Sequence, residues 1–227
     1  MNTTTLLLLA DGRFPAGGHA HSSGLEAAVA AGRVTGIREL ESFLHGRLAT
    51  AGRVAAAFAA ATHLAVSAVP ANADALVVLD SELDARIASP ALRLASRRQG
   101  RALLRAGRSI WPSPCFDGVG GHPDGPHHPV ALGLTAVAAS LSGEQAALVG
   151  AYGVLTGPAS AAVRLLGLDP YEVQSVLGNL AGACDAVASA AAAGAGKSPA
   201  ELPAYAAPLA DISAEIHATW EVRLFAS

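Results

Sequence analysis

His19 and His21 stand two residues apart in DGRFPAGGHAHSSGLE, residues 11–26. His122, His127 and His128 gather in SIWPSPCFDGVGGHPDGPHHP, residues 109–129, with Cys115 nearby. Imidazole and thiolate suit nickel, zinc or copper. A rigid metal site needs a repeated spacing such as CxxC or HxxxH on a fixed element, and neither stretch has one. The plain reading is that these are exposed loop histidines beside turn-forming Gly and Pro; the sharper one is a passing metal contact. A metal-dependent hydrolase built on His122, His127 and His128 is the enzyme-class alternative.

Other chemistry is sparser. GAGKS, residues 194–198, has the end of a phosphate-binding loop, but that loop needs a glycine where Ala191 stands and a strand before it, whereas an alanine-rich helical pattern precedes it. Arg93, Arg97, Arg101 and Arg105 recur every four residues, with Arg98 and Arg108 beside them. That spacing puts like charges on one broad helix face, where they repel unless something neutralises them. Asp80, Glu82 and Asp84 on the preceding segment are the expected partners, across a helical hairpin. No nucleophile stands next to a base in a catalytic pattern.

The elements that must carry these residues read as helices. Ser23 and Glu26 have capping-box spacing, with Gly32 as a stop. Ile37, Leu40, Leu44 and Leu48, then Val54, Phe58, Ala61 and Ala65, keep a helical stripe up to Pro70. Asn72 can cap a helix bearing Leu76, Leu79, Leu83 and Ile87, and residues 91–108 form the next. Ser142 with Gln145 is a second capping box, and Asp169 caps a helix with Pro170 in its first turn. The last helix carries Leu209, Ile212, Ile216 and Trp220. ALVVLD, residues 75–80, is the lone strand-like run and sits inside a helical pattern. The prediction is an all-α, single-domain bundle of about eight to ten helices over residues 1–227, with loops near 109–129 and 194–208.

Composition bounds the rest. Of 227 residues, 52% are apolar and 15% charged, so the chain can build a core. A net charge of −3 gives no reason to expect nucleic-acid binding. Two cysteines form no disulfide framework and point to a reducing, cytoplasmic setting. The N-terminus lacks the basic start of a signal peptide. Residues 126–143 and 145–163 are charge-free runs about long enough to span a bilayer. Their Ala, Gly, Ser and Thr content and Gly157-Pro158 argue instead for close helix packing, so no membrane partner is expected.

Five segments, in order along the chain, resemble one family. LLLLADGRFPAGGHAHSSGLEAAVAAGRV is similar to the opening of the urease accessory protein UreF family. RLASRRQGRALLR, HHPVALGLTAVAASL, ASAAVRLLGLDPYEVQSVL and PLADISAEIHATWEVRLFAS resemble its later segments. The resemblance implies an all-α, non-enzymatic urease maturation factor that forms a homodimer and holds no cofactor, with nickel at most in transit through His19 and His21. It implies assembly with the accessory protein UreD (UreH), the GTPase UreG and the urease apoprotein. Phe14, Pro15, Gly17, Gly18, Ser23, Gly24, Leu25 and Glu26 match the N-terminal signature. Arg164, Leu165 and Gln174 match a stretch linked to the GTPase-facing surface. Asp211, His217, Arg223, Leu224, Phe225 and Ser227 match the C-terminal signature, which implies a hold on the accessory partner, with Phe225 as an outward anchor.

Overall fold

A computed structural model describes residues 2–68, 73–117 and 122–225, and every regular element among them is helical. In chain order these are α1 (Thr3–Ala10), α2 (Leu25–Ala30), α3 (Ile37–Ser67), α4 (Ala73–Arg86), α5 (Pro90–Ile110), α6 (His128–Ala138), α7 (Gly143–Leu166), α8 (Pro170–Ala193) and α9 (Pro208–Ala218). The ALVVLD run lies within α4. Asn72 and Pro70, expected to start and stop helices, lie outside the described residues.

The second half of α3 is the axis of the bundle. Ala56, Ala57, Phe58, Ala59, Ala60, Ala61 and Thr62 are all buried, and a helix apolar all round has to be enclosed by others. Here α6, α7 and α8 enclose it, α5 flanks α6, and α9 lies across α5 and α2. Alanine and glycine permit this because they let backbones approach closely. A Cβ on Gly133 of α6 would lie 2.6 Å from both the Ala59 carbonyl oxygen and Thr62 Cβ of α3. Overfilling such a contact costs roughly 1–3 kcal/mol. Gly133→Val is therefore expected to lower the urea midpoint, and Gly133→Ala to lower it less; equal midpoints for all three proteins would refute the close contact.

Local signals placed most helix ends. Ser142 Oγ accepts from Gln145 N at 3.2 Å while Gln145 Oε1 accepts from Ser142 N at 2.9 Å. Asp169 accepts from Tyr171 N at 2.9 Å, and Gly32 ends α2 at φ +67°. Two expectations fail. Ser23 and Glu26 form no capping box: Ser23 and Gly24 both have positive φ, and Gly24 is the N-cap without a side-chain bond. Gly157-Pro158 does not interrupt its helix either. Proline removes one backbone donor, and α7 runs on through a buried Pro158 to Leu166.

α3, α7 and α8 are long and apolar enough to cross a membrane, at mean hydropathies of 1.2, 1.4 and 1.4. In the bundle they pack on one another. α8 is the least enclosed, with 33% of its most apolar window buried.

Candidate partner-binding surface

The N-terminal signature folds as a tight loop. Asp11 and Arg13 pair at its start. Phe14 turns inward and stacks on Trp111, with ring centroids 5.8 Å apart, while Pro15 stays exposed. Gly17 at φ +77° opens the 3₁₀ turn Gly18–Ala20, which contains His19, and Gly24 at φ +89° reverses the chain into α2. Both conformations are ones that glycine adopts without strain. The reversal buries Leu25 and Glu26.

Glu26 is the centre of the site. Its Oε1 accepts from Leu224 N at 2.9 Å; its Oε2 accepts from Phe225 N and His217 Nε2, both at 3.0 Å. The Phe225 ring lies beneath the Arg164 guanidinium of α7, 5.4 Å from its centroid. The His217 ring is tilted against Trp220 at 4.7 Å. One carboxylate thus joins the N-terminal signature to the C-terminal one, and Phe225 extends the cluster to Arg164 of α7. Burial raises the Glu26 carboxyl, but hydrogen bonds from Leu224, His217 and Phe225 outweigh it and hold the pKa below the ordinary 4.5.

Phe225, expected as an outward anchor, is buried in its own chain; Leu224 beside it faces out. Leu165 packs partly against the core. Gln174 is exposed on α8 and Arg223 is exposed at the tail, neither of them joined to Glu26. Asp211 is half-buried on α9, and burial, then the nearby Glu215, raises its pKa. Ser227 lies outside the described residues.

The helical spacing of Leu209, Ile212 and Ile216 was visible in the sequence, but not its direction. All three are more than half exposed, and Ser213, Ala214 and His217 are the buried face of α9. Polar bonds explain the inversion. Arg33 donates to Ser213 Oγ at 2.9 Å, His217 reaches Glu26, and Glu215 accepts from Ser89 Oγ and from Ala91 N, capping α5 from outside. Val222 and Leu224, next to the Glu26 cluster, are exposed as well. Exposed apolar side chains concentrated on one helix and its tail make a candidate interaction site.

The histidine loop holds the second polar cluster. His127, expected in solvent, is fully buried. Its Nε2 meets Asp84 Oδ1 and its Nδ1 meets Ser96 Oγ, both at 3.0 Å, and its backbone N donates to Asp80. Arg97 donates to Asp80 at 2.8 Å and Asp84 at 2.9 Å, as the arginine spacing predicted. Glu82 instead pairs with Arg86 on its own helix. Asp84, Ser96 and His127 lock the loop to α4 and α5. Ser96 Oγ also accepts from His128 N, and the enclosed imidazole offers no face to a substrate. His122 is exposed and Cys115 Sγ approaches Leu134 O, so the expected ligands do not converge. Among the described residues no group of three or more His, Cys, Asp or Glu could hold a metal ion, and the hydrolase alternative finds no support.

Burial and the neighbouring His21 push the His128 imidazole down to about 4. The unfolded chain takes up that proton near 6.5 and the folded one refuses it. Stability is therefore complete above about pH 6.5 and falls as the pH drops toward 4, by on the order of 3 kcal/mol. Glu26 adds a loss of the same sign at lower pH, below the ordinary 4.5. Urea midpoints measured between pH 7.5 and 4.5 should fall steeply for the natural protein and less for His128→Asn. Parallel curves would refute the assignment to His128.

The sequence is similar to those of urease accessory proteins. The UreF family model matches residues 34–181. The urease accessory protein UreF of Mycobacterium sp. (strain JLS) is 45% identical over 224 residues, covering 99% of this chain and 98% of the relative. Those of Mycolicibacterium vanbaalenii and Mycobacterium tuberculosis (strain H37Rv) are each 43% identical, over 98% and 93% of this chain and 98% and 92% of their own lengths. With a family model over residues 34–181 and relatives 43–45% identical over 93–99% of its length, the chain belongs to the urease accessory protein UreF family.

Proposed function

We propose that this accessory protein is a non-catalytic scaffold. Together with UreD (UreH) it recruits and regulates the GTPase UreG so that nickel enters the urease apoprotein. It works in the cytoplasm as one helical domain and as a homodimer, with no resident cofactor and nickel only in transit. The observation that carries the reading is the apolar stripe of α9 and the tail, Leu209, Ile212, Ile216, Val222 and Leu224, held outward by buried polar bonds. An apolar surface fixed in this way has the chemistry of a protein interface core. Asp211, Arg223 and Leu224 border the accessory-partner contact, which His217 and Phe225 support from beneath; Ser227 belongs to the same tail signature. Arg164, Leu165 and Gln174 belong to the GTPase-facing side.

The test is light-scattering mass on size exclusion, for the protein alone and mixed with UreD and UreG. A defined larger complex is expected, lost in Ile212→Ser/Ile216→Ser and on removal of residues 224–227. Because Ile212 and Ile216 are exposed, the double variant should melt as the natural protein does. A complex indifferent to both changes would remove the stripe from the interface; no complex at all would sink the scaffold.

A further inference from the structure

A cleft of about 500 Å³ lies away from the Glu26 cluster, where α3, α8 and residues 194–205 meet. Its floor is apolar, with Leu48 from α3, Val187 from α8 and Leu202 from the following loop. Its polar rim is His45, Arg53, Lys197 and Tyr205. Among the described residues no carboxylate lines it, although the chain as a whole is acidic. Arg53 belongs to none of the ion pairs found among the described residues. Lys197 forms none within contact distance, although hydrogen bonds from Ser198, and then the Lys197 charge, lower the pKa of the neighbouring Glu201.

The backbone is adapted to this arrangement. Leu48–Gly52 of α3 is a π-turn within an otherwise α-helical 31-residue element. The π-turn forms part of the cleft wall, on which His45, Leu48, Ala49 and Arg53 all open. π-turns inside α-helices recur at functional sites. Arg53 is also oriented: its Nη1 donates to Tyr205 Oη at 3.2 Å, and its guanidinium stands 5.3 Å from the Tyr205 ring centroid. That leaves guanidinium donors for an acceptor, with the Lys197 ammonium as a second charge. Lys197 belongs to the GAGKS segment; it follows a helix end, at a turn in which its own N–H bonds Gly194 O at 3.1 Å.

We propose that this cleft is a binding site for a small amphipathic anion: a carboxylate, sulfonate or phosphate head at Arg53 and Lys197, with its apolar body on Leu48, Val187 and Leu202. The volume is in the range of small-molecule sites, which are mostly apolar with a few placed polar groups. An uncharged apolar molecule would leave the Arg53 guanidinium without an acceptor, and an inorganic anion would leave the floor wet.

The probe is 1-anilinonaphthalene-8-sulfonate, titrated by fluorescence into the full-length protein, with octanoate and 1-octanol as competitors. One saturable site is expected, displaced by octanoate and not by equal 1-octanol. Affinity should fall at least tenfold in Arg53→Gln/Lys197→Gln and stay within twofold in Ile212→Ser/Ile216→Ser, which changes two exposed apolar residues of the α9 stripe. The charge-removing variant changes two exposed side chains, and an unchanged melting curve would show that it folds. Equal affinity in that folded variant would overturn the proposal. So would equal displacement by 1-octanol, or displacement by a polyglutamate peptide but not by octanoate, which would give the cleft to an acidic chain instead.

Discussion

Glu26→Ala is expected to free residues 217–225 from the bundle and to lower unfolding stability by about 3 kcal/mol or more. The carboxylate answers three donors at once, Leu224 N, Phe225 N and His217 Nε2, in a buried place. Alanine leaves all three without that acceptor and opens a gap under Phe225. Glu26→Gln keeps the shape but loses the charge, and its amide turns a donor toward donors, so an intermediate loss is expected. Hydrogen exchange reads the effect directly: the Leu224 and Phe225 amides should be protected in the natural protein and exchange near the solvent rate in Glu26→Ala. Retained protection would show that the tail is held by Phe225 packing and not by the carboxylate. If Glu26 sets the outward stripe, the same variant should also fail to form the complex with UreD.

Arg97→Met is the second large effect, with an expected loss of about 3–5 kcal/mol by urea unfolding. The Arg97 side chain is 5% exposed and bridges Asp80, Asp84 and the Gly125 carbonyl. Its removal leaves Asp80 without its cation and Asp84 with only the more distant Arg93, 4.0 Å away, as a cationic partner beside His127. Adding Asp80→Asn and Asp84→Asn should recover much of the loss, because the penalty lies in the unpaired charges and not in the missing contact. A second readout separates charge from packing. Burial, then the Arg97 charge, lowers the His127 pKa. In Arg97→Met that pKa should rise, visible by NMR titration of the imidazole. An unmoved His127 titration would refute the electrostatic reading.

What the sequence revealed followed the range of each interaction. Ser142 with Gln145 and Asp169 with Tyr171 close within three residues, so local pattern placed them. Ser23 with Glu26 shows the same pattern and fails, because Glu26 answers partners 191, 198 and 199 positions away. No local rule carries that information. The Leu209–Ile212–Ile216 stripe shows a different limit. Periodicity defines a helix face but not which way it points, and here Ser213 and His217 have stronger claims on the interior. The arginine ladder was legible at Arg97, since an acidic segment precedes it. The burial of His127 was not, because Gly and Pro around a histidine look alike in a mobile turn and in a locked one. The family resemblance picked out Glu26, His217, Leu224 and Phe225 one by one, yet it gave no sign that they bind one another.

The reach of the Glu26 contact also orders events during synthesis. Joining residue 26 to residue 225 closes a loop whose entropy cost grows with the logarithm of its length, about 5 kcal/mol here. Synthesis runs from the N-terminus at roughly 5–20 residues per second, so α2 emerges well before its partners do. Until residues 217–225 have been made, the Glu26 carboxylate has nothing in this chain to accept from, and Ser213 and His217 cannot turn α9 to show its apolar stripe. The outward stripe therefore takes its place only after residues 217–225 have been made, and a change that loosens them also loosens α9.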